Sequence, residues 1–160
     1  MRLTLLIIVL SLCIVADFGF LCAQTSPTVP TSDRSGEVMY FHQDEVAASF
    51  QKGGTLTQGT DYKVMTAKRD APGEVEIHTK YTDVFYVVAG NATIMVGGQM
   101  VGSKSTEPDE PRGTSIEGGQ VRHLSAGDVI IIPAGIPHWI NTVDPPFHYF
   151  VVKIATASQQ

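Results

Sequence analysis

Glu76, His78 and Lys80 occupy alternate positions of the stretch Glu74–Lys80, with Val75, Ile77 and Thr79 between them. Such alternation predicts a β-strand with one polar and one apolar face. Residues i and i+2 of a strand point the same way, about 6.6 Å apart. The carboxylate of Glu76 and the imidazole of His78 can therefore address one point. Asp83 opens the next apolar run, and His138 follows the corner Pro133-Ala-Gly135-Ile-Pro. Two carboxylates and two imidazoles form a mixed oxygen and nitrogen donor set. That set suits one divalent ion: Mn, Fe or Ni in octahedral geometry with positions left open, or Zn with fewer ligands. Lys80, on the His78 face, has the chemistry of a general acid or of a clamp for a carboxylate. A protonated lysine cannot itself ligate a cation.

Each of these residues has a plainer role open to it. Glu76 and His78 suit a cross-strand surface pair, Asp83 a turn after Tyr81-Thr82, and His138 a buried imidazole bonded to backbone. The joint reading rests on the glycines and prolines around them. One segment runs Gly73-Glu-Val-Glu-Ile-His78-Thr-Lys-Tyr-Thr-Asp83-Val-Phe-Tyr-Val-Val-Ala-Gly90. The other runs Gly127-Asp-Val-Ile-Ile-Ile-Pro133-Ala-Gly135-Ile-Pro-His138-Trp-Ile-Asn141.

Together these segments resemble the two motifs of the cupin superfamily. Gly127, Pro133, Gly135 and His138 meet the second motif in full, with its trailing Asn one place early at Asn141. Asp83 and Gly90 meet the acid-to-glycine spacing of the first. The resemblance covers Glu37 to the C-terminus. It implies an all-β, double-stranded β-helix of the jelly-roll type, a metal inside the barrel, and dimers made by sheet-to-sheet packing. The family's first motif carries His-x-His before its acid. Counting back from Asp83 places His78 at the second of these positions and Glu76 at the first. The other count makes His78 the first and Lys80 the second, with too few residues before Asp83. On the first count the implied ligands are Glu76, His78, Asp83 and His138. Two function classes follow from the resemblance. One is a metal-dependent enzyme (dioxygenase, isomerase or decarboxylase-like) on a small oxygen-bearing molecule, with Lys80 as its catalytic side chain. The other is a non-catalytic module that binds or senses a small ligand, its metal structural or absent.

The elements that must position these residues are short. Gln43–Lys52 has Val46, Ala47 and Phe50 at helical spacing, acids at its start and Gly53-Gly54 at its end, which predicts one short helix. Beyond it come strand patterns at 62–68, 74–80, 84–88, 92–96, 121–124, 129–132, 138–142 and 147–153. Many short strands with Gly, Pro and Asp punctuation indicate an all-β barrel or sandwich. Gly90-Asn91 and Gly97-Gly98 read as turns. The polar stretch 102–120 reads as a mobile loop at the barrel mouth. Val84–Val88 and Val129–Ile132 are apolar on both faces, so a homodimer is expected. His42 is expected to be exposed near the helix start, and His123 and His148 to be structural, with His123 lining the barrel as an alternative. The aromatics Tyr62, Tyr86, Trp139, Phe147, Tyr149 and Phe150 are candidates for a pocket wall but are expected to be core. Asn91-Ala92-Thr93 is a formal glycosylation sequon, although Asn91 reads more simply as a turn residue.

The amino terminus reads as a targeting segment. Met1-Arg2 is followed by the apolar run Leu3–Ala16, which Asp17 interrupts short of the about 20 residues a membrane-spanning helix needs. Cleavage after Ala23 is expected, with an uncleaved anchor or a lipidated Cys22 as alternatives. Residues 24–36 form a polar, Pro-rich linker, and the domain spans 37–160. Both cysteines, Cys13 and Cys22, lie in the leader, so the exported chain would carry no disulfide despite an oxidising destination, periplasmic or extracellular. The net charge is −5 and no basic run occurs. Nucleic acid is therefore an unsuitable partner, and so is an anionic membrane surface.

Overall fold

A computed structural model describes residues 36–104, 107 and 109–156. The expected leader (1–23) and nearly all of the linker (24–36) lie outside these residues.

The helix α1 spans Gln43–Lys52, as its sequence pattern predicts. His42 caps it, with Glu45 returning a bond to the His42 amide in a capping box. Phe50 is the buried residue of its inner face, stacked on His148 at 5.2 Å between ring centroids and edge-on to Phe150 at 5.1 Å. Phe50 thus reaches from the helix to the outer face of the last strand.

The remaining elements are strands: β1 (Gly54–Gln58), β2 (Tyr62–Arg69), β3 (Val75–Glu76), β4 (Tyr81–Val96), β5 (Gln99–Val101), β6 (Arg112–Gly113), β7 (Ser115–Glu117), β8 (Gln120–Ser125), β9 (Val129–Ile132) and β10 (His138–Ala155). All pairings are antiparallel. Eight strands form one sheet, in which β10 touches β2, β3 and β4, and β4 touches β8, β9 and β10. β5 and β7 form a separate two-stranded sheet. The core lies between the inner faces and contains Phe85, Val87, Ile94, Leu124, Ile132, Ile140, Phe147, Tyr149 and Val151. The architecture is the all-β double-stranded β-helix with one short N-terminal helix.

Four expectations change. First, Gly90-Asn91 is a corner within one long strand and not a hairpin turn. β4 runs alongside β10 on both sides of it, with irregular register between Asp144 and His148. Gly90 has φ +80°, and a Cβ there would collide with the Pro146 carbonyl oxygen. Only glycine fits that corner. Second, the strands expected at 138–142 and 147–153 are likewise one element, β10. Third, β3 stops at Glu76. The Ile77 and Thr79 amides donate instead to the carbonyls of Pro111 and Asp109. Fourth, the stretch expected to be a mobile loop carries β6, paired with β3, and β7, paired with β5, with Gly113 and Ile116 buried. Its pairing partners come from distant sequence, which local polarity does not reveal.

Several apolar side chains stay outside. Val129 and Ile131 of β9 are 59% and 63% exposed, and Tyr86 and Val88 of β4 stand beside them.

Phe147 is fully buried at the centre of the core. Phe147→Ala is expected to cost about 3–5 kcal/mol in urea denaturation. Gly90→Ala is expected to destabilise measurably although it adds a single methyl group, because the Pro146 carbonyl must move.

Candidate metal centre

Strand pairing brings the two motif segments together. His138 opens β10 and lies directly across from Glu76 of β3. The Gly135 amide, in the corner before β10, donates to the His78 carbonyl at 2.9 Å. The Gly73 amide donates to Ile140, and the Trp139 indole donates to the Gly73 carbonyl at 2.7 Å. These bonds stitch both ends of the β3 segment to β10. One carboxylate oxygen of Glu76 and one ring nitrogen each of His78 and His138 lie within 4.8 Å of one another. Both imidazoles are buried, and their ring centroids are 5.3 Å apart.

The protonation of His138 follows from its neighbours. Its Nδ1 is 3.1 Å from the Ile136 carbonyl oxygen. A carbonyl can only accept, so Nδ1 carries the proton and Nε2 keeps its lone pair. Burial holds this imidazole below its ordinary pKa, against the raising influence of Ile136, Glu76 and Asp83. A neutral ring with Nε2 turned inward is the form that ligates a metal. That Nε2 is buried without a hydrogen-bond partner, which is costly unless something is bound there. The donor set therefore fits a divalent ion.

His78 Nε2 lies 3.3 Å from Glu76 Oε2 and 3.5 Å from Asp83 Oδ2. On its other side, Glu110 Oε1 is 3.3 Å from Nδ1. That distance allows charge contact, but the atoms are out of line for a hydrogen bond. Glu76 meets Arg112 Nη1 at 2.6 Å and Arg69 Nη2 at 3.5 Å. Burial works against its ionisation. Contact with His78 and the charges of Arg112 and Arg69 outweigh this and bring the carboxyl from 4.5 to about 2. Arg69 also donates to the Tyr149 hydroxyl at 2.9 Å.

Asp83 lies at the edge of the cluster. Its Oδ2 is 3.9 Å from His138 Nε2, but both of its oxygens accept from Lys153 Nζ, at 3.0 and 3.1 Å. Lys80 does not join the group. β3 ends before it, its side chain is 67% exposed, and its ammonium pairs with Asp109. The shared face expected for His78 and Lys80 requires a strand that continues past Glu76, and the chain turns out there instead.

The cluster lines a cavity of about 410 Å³. Its walls include Arg69, Glu110, Arg112, Tyr149 and Lys153; of these the sequence pointed only to Tyr149, as a candidate pocket wall expected to be core. For Lys153 and Arg69 the signal existed. Lys153 continues the inward alternation Phe147, Tyr149, Val151, and Arg69 continues Lys63, Met65, Ala67. Glu110 and Arg112 belong to the irregular stretch, where no periodicity points inward. His42, His123 and His148 stand apart: His42 caps the helix, His123 meets Thr93 at 3.2 Å, and His148 packs on Phe50.

A carboxyl whose pKa falls on folding stabilises the fold above its unfolded value. The contribution disappears as pH drops towards its folded value. The Glu76 contribution, at most about 3 kcal/mol, is thus complete above pH 4.5 and lost by about pH 2. In chelator, the stability gap between wild type and Glu76→Gln is expected to be widest near pH 7 and to narrow steadily below pH 4.5.

Comparisons with known proteins agree with this architecture. A family model described as Cupin matches residues 48–160. No curated protein sequence is significantly similar. Among solved structures, BH2720 from Bacillus halodurans aligns with a TM-score of 0.56 at 16% identity, over 80% of this chain and 89% of that one. A cupin-2 domain containing protein from Shewanella frigidimarina aligns with a TM-score of 0.48 at 15% identity, over 71% and 93%. KdgF from a Halomonas species gives a TM-score of 0.48 at 17% identity, over 66% and 80%. With the family match spanning well over half the sequence and both motifs meeting in one buried cluster, the chain belongs to the cupin family.

Proposed function

We propose that this protein is an exported cupin that holds one divalent ion on Glu76, His78 and His138 and takes a small, oxygen-bearing anion in the cavity beside it. The observation that carries this reading is the buried, lone-pair-bearing Nε2 of His138, unpartnered and grouped with two further donors. Such an ion supplies a Lewis acid with positions open to a ligand oxygen.

The charge of the cavity supports an anionic ligand. Glu74, Glu76, Asp83 and Glu110 line it, and so do Lys63, Arg69, Arg112 and Lys153. The fixed charges balance, so a divalent ion adds two uncompensated positive charges. A small anion restores the balance, and the guanidinium of Arg69 or Arg112 provides its planar contact. Tyr149, with its phenol held by Arg69 and its pKa raised by burial, stays protonated. Lys80, exposed and paired outside the cavity, has no part in this reading.

A second reading is a binding or sensing module without catalysis. It is favoured by the internal compensation of Glu76 by Arg112 and of Asp83 by Lys153, which lets the cluster close without an ion. Turnover that disappears on metal removal indicates the enzyme; loss of stability alone indicates the module. The exposed strip of Tyr86, Val88, Val129 and Ile131 supports a homodimer that buries it.

Metal analysis of purified protein is expected to find about one Mn, Fe, Ni or Zn per chain, drawn from the set this donor chemistry suits. His138→Ala and His78→Ala are expected to lose most of it, and Glu76→Gln more than Lys80→Ala. Metal loss in Lys80→Ala with retention in Glu76→Gln would reverse the assignment. With metal bound, small carboxylates are expected to raise the melting temperature and their neutral amides to leave it unchanged. Light scattering is expected to give twice the chain mass; a concentration-independent monomer contradicts the dimer. The intact mass of the exported protein is expected to lack Met1–Ala23.

A further inference from the structure

We propose that Lys153 sets the ligand count of the metal centre by holding Asp83 out of it, an inference that rests on the metal reading above. Lys153 stands directly across from Asp83 on the neighbouring strand. Its side chain is 12% exposed and that of Asp83 3%. The ammonium engages both carboxylate oxygens, at 3.0 and 3.1 Å. Asp83 is nevertheless close to the donor cluster, its Oδ2 3.5 Å from His78 Nε2 and 3.9 Å from His138 Nε2. It is an acid within reach of the metal position and committed to another cation.

The two cations compete for one carboxylate. If Asp83 turned onto a divalent ion, Lys153 would be left as a buried ammonium beside added positive charge. Leaving a buried charge without its partner is strongly unfavourable. Asp83 therefore stays with Lys153, and the ion receives one carboxylate and two imidazoles. A three-donor centre keeps more positions open for a ligand than a four-donor one. Lys153 is in this sense a positioning residue. It acts through Asp83 and not on a ligand directly.

The test uses Lys153→Met, which retains the apolar stem and removes the charge, with Asp83→Asn and the double variant. Zn²⁺ and Mn²⁺ affinities are measured by competition with a chromogenic chelator. In Lys153→Met the released Asp83 becomes a fourth donor, and the metal is expected to bind roughly tenfold tighter or more. Asp83→Asn alone leaves the Lys153 ammonium unpaired beside the ion and is expected to weaken binding through repulsion, whereas the double variant, which removes both charges, is expected to stay within about threefold of wild type. A purely structural role for Lys153 would lower the melting temperature of all variants without this reciprocal pattern in affinity. Unchanged affinity in Lys153→Met overturns the proposal. So does a loss in the double variant as large as that in His138→Ala, which would make Asp83 a ligand already. Should Lys153→Met fail to fold, the double variant, which leaves no buried charge unpaired, decides alone. Wild-type protein that binds neither ion defeats the metal reading itself and this inference with it.

Discussion

The register of β10 is the constraint on which the molecule depends. This strand pairs with β2 along its second half, with β4 along nearly its whole length, and with β3 at its first residue. Because a strand alternates faces, one register sets every inward side chain at once. Inward from β10 come His138 and Ile140, then Phe147, Tyr149, Val151 and Lys153 beyond the corner at Pro145–Pro146. The same register sets His138 against Glu76 and Lys153 against Asp83. A slip of one residue would expose Phe147 and separate both pairs. The energy of the apolar core thus also specifies the geometry of the charged cluster.

Charge compensation is the second organising feature. A buried carboxylate is expensive unless it is paired. Glu76 is held by two arginines, one from β2 and one from β6, and Asp83 by Lys153 of β10. The short strands β6 and β7 matter for this reason. They are too small to add much to the core, but the pairing of Arg112 with Glu76 in register positions both the guanidinium and the neighbouring Glu110 at the cavity. The stretch that looks like a loop in the sequence is thereby one wall of the site.

How much of this was legible follows the range of each signal. The helix Gln43–Lys52 is visible because its cap, its apolar spacing and its glycine stop are all local. The donors Glu76, His78 and His138 are visible because two share an alternating segment and the third follows a distinctive Pro/Gly corner. The continuity of β4 and β10 was not visible. Gly90-Asn91 and the Asp144–Phe147 corner have the composition of turns, and only long-range pairing shows that the strands run on. Lys153 was readable from its alternation with Tyr149 and Val151, but lysine is rarely buried unless paired, and its partner Asp83 is distant in sequence. Lys80 misled because alternation through Glu74–Lys80 suggests a strand that tertiary pairing ends at Glu76. The cavity partners of Glu110 and Arg112 lie far away in sequence, at His78 and Glu76, and no local pattern records them.

In the proposed arrangement one ion sits among Glu76, His78 and His138 with Asp83 turned away to Lys153. Anomalous X-ray diffraction from crystals of the metal-loaded protein tests it directly. A single strong anomalous peak is expected within bonding distance of a Glu76 carboxylate oxygen, His78 Nε2 and His138 Nε2, with Asp83 still on Lys153. No peak in the cavity, or a peak held by other residues, would contradict it.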